Sequence, residues 1–192
     1  NGALSGGGEE YKIRRKLIEN NLVEAILVFP QGMFYTTPIS VSLWIVNKNK
    51  KAQSKIVGEE TRNYRNRENE ILFIDARYLG DGGENEDKFV LLREEDKLRI
   101  ANTLFSWQSP EWETLYHDVP EFCYSATMDE IRGKDFVLAP SRYVKFLNHD
   151  LEIDFEREMS AIQARVKSVI DEEKKAQQEL ASALMEVGYG IE

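Results

Sequence analysis

The sequence predicts an α/β fold that gives way to a long C-terminal helix. Three observations carry that expectation. An amphipathic stretch at residues 9–20 runs directly into a nearly continuous apolar stretch at 22–30. Residues 39–48 then alternate around β-branched side chains, the period of a strand. From residue 155 onward apolar side chains recur every three or four positions, the spacing of a helical seam.

Taken in order, Gly6-Gly7-Gly8 is too flexible to sit inside an element and forms a loop. The stretch EEYKIRRKLIEN has acids at its start and bases toward its end, as the helix dipole prefers, with Ile13, Leu17 and Ile18 as its apolar stripe. LVEAILVFP has the continuous apolarity of a strand covered on both faces. ISVSLWIVNK follows as a second strand, antiparallel to the first, across the loop QGMFYTTP. Residues 47–70 are expected to be a polar connection interrupted only by Ile56-Val57, and ILFIDAR at 71–77 a third short strand. An acidic, Gly-rich loop leads to an amphipathic helix at 93–107, which Ser109-Pro110 breaks. Residues 111–146 are mixed and aromatic, with Thr127 placed to cap a helix MDEIRG. The expected organisation is residues 1–80 as the end of an α/β domain, 81–150 as a mixed, mostly helical region, and 151–192 as a long amphipathic helix.

That last helix carries its seam on Phe155, Met159, Ile162, Val166, Val169, Leu180 and Val187. An a/d seam of this length is read as docking against another chain, the alternative being a helix folded back on its own domain. Hydrophobic residues at 42% and charged residues at 31% exclude a disordered chain. No apolar run approaches the roughly 20 residues that span a bilayer. The single cysteine, Cys123, excludes an intramolecular disulfide and a multi-thiolate metal site, and a reducing, cytoplasmic setting is the expectation. His117 and His149 lack metal-ligand spacing to each other or to Cys123. The opening NGALSGGG has the character of a stretch cut from within a longer protein.

Net charge is −9, but it is unevenly spread: the first 67 residues hold 11 Lys/Arg against 6 Asp/Glu, and the remainder 14 against 28. The basic excess lies in Arg14, Arg15 and Lys16, and in Lys48, Lys50, Lys51, Lys55, Arg62, Arg65 and Arg67. The second group is the candidate for phosphate contact; the alternative is a solvated face. Phe34-Tyr35, beside Thr36-Thr37 in the loop between two strands, has the chemistry to stack on a base and hydrogen-bond its edges, or simply to cap the end of the sheet. Asp75 ends a strand, where α/β enzymes often place functional groups and where a salt-bridge residue also belongs. No phosphate loop, dinucleotide fingerprint or nucleophile elbow is present.

The ordered series from GALSGGGEEYKIRRKLIENNLVEAI through FYTTPISVSLWIVNKNK and ILFIDAR to SATMDEIRGKDFVLAPSRYV resembles the C-terminal half of the modification subunits of type I restriction-modification systems, adenine-N6 DNA methyltransferases. The resemblance covers residues 1–147 and, more loosely, the tail. It implies the far end of a Rossmann-like sheet whose last strands form an antiparallel hairpin. It also implies that Phe34, with Tyr35 second, stacks on a flipped target adenine. The family binds S-adenosylmethionine through a Gly-rich loop after its first strand and transfers the methyl group at an Asn-Pro-Pro-aromatic motif. This chain contains no Asn-Pro pair, so no catalytic residue and no bound cofactor are expected in it alone. The implied partners are DNA, a specificity subunit and a restriction subunit. The alternative is a non-enzymatic module that docks a specificity subunit through its C-terminal helix.

Overall fold

A computed structural model describes residues 2–34, 38–82, 89–147, 155–186 and 188. Tertiary contacts divide the chain into two units, Asn1–Leu147 and Asn148–Glu192.

The first unit opens with a single turn, α1 (Gly2–Ser5), and then α2 (Gly8–Glu19). Of the glycines between them, Gly6 has a steric role. The Gly6 amide donates to the Gly2 carbonyl, and a Cβ on Gly6 would stand 2.6 Å from that oxygen. Glu9 and Glu10 occupy the first turn of α2 and Lys16 its last, as the charge pattern predicts. Asn21, at φ 56°, turns the chain into β1 (Val23–Val28), which is buried at every position. β2 (Ser42–Val46) returns antiparallel to it. A β-bulge between Val23 and Ala25 resets the alternation of β1. Val23, Ile26 and Val28 therefore join one core layer, while Ala25 and Leu27 join the other.

Residues 47–70 are more than a polar connection. They contain β3 (Gln53–Val57) and β4 (Glu60–Tyr64), a separate antiparallel hairpin. Its two-residue loop begins with Gly58 at φ 65°, the position where a type II′ turn requires glycine. Exposure of both faces (Ile56 is 80% exposed) removes the alternation that marks a strand. β5 (Glu70–Asp75) then lies parallel to β1, in register Val28 with Asp75. α3 (Glu94–Gln108) follows.

Next comes β6 (Cys123–Thr127), which pairs antiparallel with β5 and completes a sheet of order β2-β1-β5-β6. The region after residue 80 is thus less helical than expected: its strand shares the sheet, and hence the core, of the region before it. Thr127 caps α4 (Met128–Gly133) in a capping box with Glu130, as the sequence predicts. A 3-10 turn at Pro140–Arg142 closes the unit.

Elements cover both faces of the sheet. On one, Leu4, Ile18, Ile131, Phe136, Leu138, Tyr143 and Val144 pack on Ile26, Ile71 and Phe73. The rings of Phe73 and Tyr143 stack with centroids 4.1 Å apart. On the other, Trp107 of α3 and Phe122 pack on Ala25, Leu27, Leu72 and Ile74. The Trp107 indole N–H donates to Ser125 Oγ at 2.8 Å, which satisfies its one polar atom. The second unit contains α5 (Phe155–Glu186), 32 residues and so about 48 Å long.

Leu72 is fully buried in the centre of the sheet. Leu72→Ala is expected to lower stability by about 2–5 kcal/mol in urea unfolding. Leu98→Ala, on the exposed side of α3, should change it by less than about 0.5 kcal/mol.

Candidate functional site

Parallel strands β1 and β5 end side by side at Val28 and Asp75, and the loop of residues 29–41 springs from that carboxyl edge. Its base is closed by the Phe29 amide donating to Val41 O at 2.9 Å. Gly32, at φ 79°, redirects the chain and accepts a 3.1 Å hydrogen bond from the Val90 amide. Phe34 stands on this loop half exposed, at 50%. Tyr35 lies outside the described residues.

At the same edge the buried Asp75 carboxylate accepts from Arg77 Nε at 2.8 Å and Nη2 at 2.6 Å. Asp75 is therefore a salt-bridge residue that fixes the plane of the guanidinium. The hydrogen bond to Asp75 raises the Arg77 pKa and keeps the group charged. Arg77 faces a cleft of about 160 Å³ lined also by Ser5, Val28, Ser40, Pro140 and Ser141. Sequence reading missed this cleft because its residues come from five separate stretches of the chain with no shared spacing.

The basic residues expected to contact phosphate are not gathered there. β2 carries the chain back along β1 to Val46, opposite Val23, so residues 48–67 begin at the other edge of the sheet, about 20 Å away. Several of them turn inward. Arg67 is buried and its Nε donates to Glu24, itself buried, at 2.7 Å. Glu24 also accepts from Asn47 at 2.8 Å and Gln108 at 3.2 Å. The buried Lys50 ammonium donates to the carbonyls of Val23 at 2.9 Å and Glu70 at 2.6 Å. Lys50 and Arg67 are thus structural, and their assignment to phosphate contact is corrected. Arg65 bonds Trp107 O at 2.6 Å and Glu70 at 2.7 Å, and Arg62 lies over the rings of Phe105 and Trp112 at 5.0 and 5.1 Å. Lys48, Lys51 and Lys55 remain exposed. In the other basic group Arg14 is also buried, donating to Phe136 O at 2.7 Å and Ala3 O at 3.1 Å.

Along α5 the seam residues are open, from 38% exposed at Met159 to 69% at Phe155, with Ile162, Val166, Val169 and Leu180 between. Val187 lies outside the described residues, as does His149. Among the described residues no group of three or more His, Cys, Asp or Glu is placed to hold a metal, and no helix is long and apolar enough to cross a membrane.

Burial pushes the Lys50 pKa from its usual 10.5 down to about 8. Between those values the folded chain has released a proton that the unfolded chain keeps, so stability should rise with pH across that window and level off below it. Lys50→Met is expected to abolish that rise in unfolding free energy measured from pH 7 to 10; an identical slope in both proteins would contradict the assignment.

The family model for N-6 DNA methylases matches residues 1–150. The HindI methylase subunit of a type I restriction enzyme from Haemophilus influenzae is 32% identical over 98% of this chain. The MjaIX methylase subunit from Methanocaldococcus jannaschii is also 32% identical over 98% of it. The chain spans only 39% and 31% of the lengths of those two proteins. Among solved structures, a type I methyltransferase subunit from Streptococcus thermophilus matches 75% of this chain with a TM-score of 0.56 at 24% identity. A chain from a study of the assembly and conformational transition of a type I system matches 95% of it with a TM-score of 0.51 at 15% identity. These last two likenesses concern the fold.

Proposed function

Because this chain belongs to the N-6 DNA methylase family, we propose that it forms the base-side end and the docking arm of a type I adenine-N6 DNA methyltransferase, acting in the cytoplasm. The observation that carries this reading is Phe34, presented half exposed from a loop at the carboxyl edge of two parallel strands. In α/β sheets that edge is where ligands bind. An adenine flipped out of the duplex loses its stacking neighbours, and an aromatic face returns about 1–3 kcal/mol of that loss. Phe34 supplies such a face, with Tyr35 beside it in sequence.

The four strands are then the far side of a larger Rossmann-like sheet. β2 supports this, since it ends the sheet with Leu43 and Val46 exposed, an edge open to further strands. S-adenosylmethionine supplies the methyl group in the whole enzyme. The residues present do not fit it: Gly6-Gly7-Gly8 joins two helices instead of following a strand, and no Asn-Pro pair exists. Donor binding and methyl transfer therefore fall to residues outside this chain, which alone is inactive. Lys48, Lys51 and Lys55, at the opposite edge, serve only peripheral phosphate contact.

The second role rests on α5. A helix with an apolar seam exposed along its length gains stability by burying that seam against another helix. Its partner in this reading is the specificity subunit, which reads the DNA sequence, and the assembled complex engages the restriction subunit.

Phe34→Ala in the full-length protein is expected to slow methylation of target DNA roughly ten- to hundredfold. It should also weaken the fluorescence rise of 2-aminopurine placed at the target adenine. Unchanged turnover together with unchanged fluorescence would reject the stacking role. Removing residues 155–192 should abolish co-purification with the specificity subunit, and a complex that survives the deletion overturns the docking assignment.

A further inference from the structure

The cleft at the carboxyl edge has a composition that base stacking does not explain. Four polar side chains from four separate segments line it: Ser5 at the end of α1, Ser40 before β2, Arg77 after β5, and Ser141 in the 3-10 turn. Its floor is apolar, formed by Val28 and Pro140 among others. Arg77 is held by two bonds from one side to Asp75, through Nε and Nη2. Its Nη1 has no hydrogen-bond partner among the described residues, and neither do the three serine hydroxyls. The guanidinium is one-third exposed, so it is both fixed and reachable.

A fixed guanidinium in a cleft that three serines also line matches a tetrahedral oxyanion, whose oxygens accept hydrogen bonds in several directions at once. A volume of about 160 Å³ leaves room for one phosphodiester group. Ser40 belongs to the same 29–41 loop as Phe34. A phosphate seated in the cleft would therefore be held in part by the loop that carries that ring.

We propose that Ser5, Ser40, Arg77 and Ser141 form a pocket for one DNA backbone phosphate, flanking the nucleotide whose base meets Phe34. The assignment rests on the reading that this edge faces DNA. Its effect is positional: one anchored phosphate fixes the register of the strand, while the base is recognised elsewhere. Asp75 is part of the device, because it orients Arg77 without reaching into the cleft. Its charge offsets part of the guanidinium's, so the pocket selects by geometry and hydroxyl count as much as by charge.

The test uses the full-length subunit in its complex with the specificity subunit. Target DNA is prepared with a single neutral methylphosphonate at each position flanking the target adenine in turn. One linkage should weaken binding to the unaltered protein roughly tenfold, the loss expected for a charge-assisted contact. In Arg77→Gln that linkage should lose its effect, and the salt dependence of affinity should fall by about one unit of slope. Since Arg77→Gln leaves Asp75 unpaired, Ser141→Asp provides a second variant on an exposed residue. Its carboxylate should repel the same phosphate, so the neutral linkage should bind it better than the natural one. If no single linkage is distinguished by either variant, the pocket is not a phosphate site. Failure of the stacking role appears separately, as normal 2-aminopurine fluorescence in Phe34→Ala.

Discussion

The buried pair of Glu24 and Arg67 is the constraint on which the remaining geometry depends. Two opposite charges withdrawn from water are tolerated only when their other hydrogen-bonding positions are also met. Here Asn47 and Gln108 complete Glu24, while Arg67 also donates to the carbonyl of Arg65. Lys50 lies beside them on two backbone carbonyls. These bonds gather the start of β1, the chain just beyond β2, the end of α3 and the approach to β5 into one knot. The β-bulge at the start of β1 belongs to the same arrangement, since it resets the strand's faces where Glu24 enters the cluster. Removing one partner would leave a buried charge uncompensated, at a cost of about 3–5 kcal/mol.

That knot fixes the amino edge of the parallel strands and leaves the carboxyl edge open. The two ends of the sheet consequently do different work. At the tied end, Lys50, Arg62, Arg65 and Arg67 serve the fold: they pair with Glu24 and Glu70, cap carbonyls, or lie over the rings of Phe105, Trp107 and Trp112. At the open end, Phe34 and the cleft beside Arg77 stand on loops at the edge of the sheet where α/β folds usually place their ligands. α5 is a third kind of surface, an exposed apolar seam that needs only helical periodicity to exist.

Much of this was legible in the residues. The α2–β1–β2 succession follows from a stripe at helical spacing, then an apolar run, then an alternating one. Thr127 and Glu130 at N-cap and N3 announce α4. The exposed seam of α5 needs no tertiary information. Three strands escaped, for two opposite reasons. β6 is CYSAT, too short and too mixed to show a period, and it becomes a strand because β5 offers an unpaired edge. The β3–β4 hairpin has no buried face, so its only local signal is the turn at Gly58-Glu59.

By itself, then, the sequence determined the succession α2–β1–β2 and the family, because each is written in neighbouring residues. Tertiary structure alone decided which charges face outward. Lys50 and Lys51 are adjacent in sequence, yet one is buried on two carbonyls and the other is exposed. A linear count of charge has no term for direction, and direction is set by partners such as Glu24 and Glu70, some twenty or more residues away. For the same reason the cleft of Ser5, Ser40, Arg77 and Ser141 exists only once β1 and β5 lie parallel and bring four remote segments to one edge.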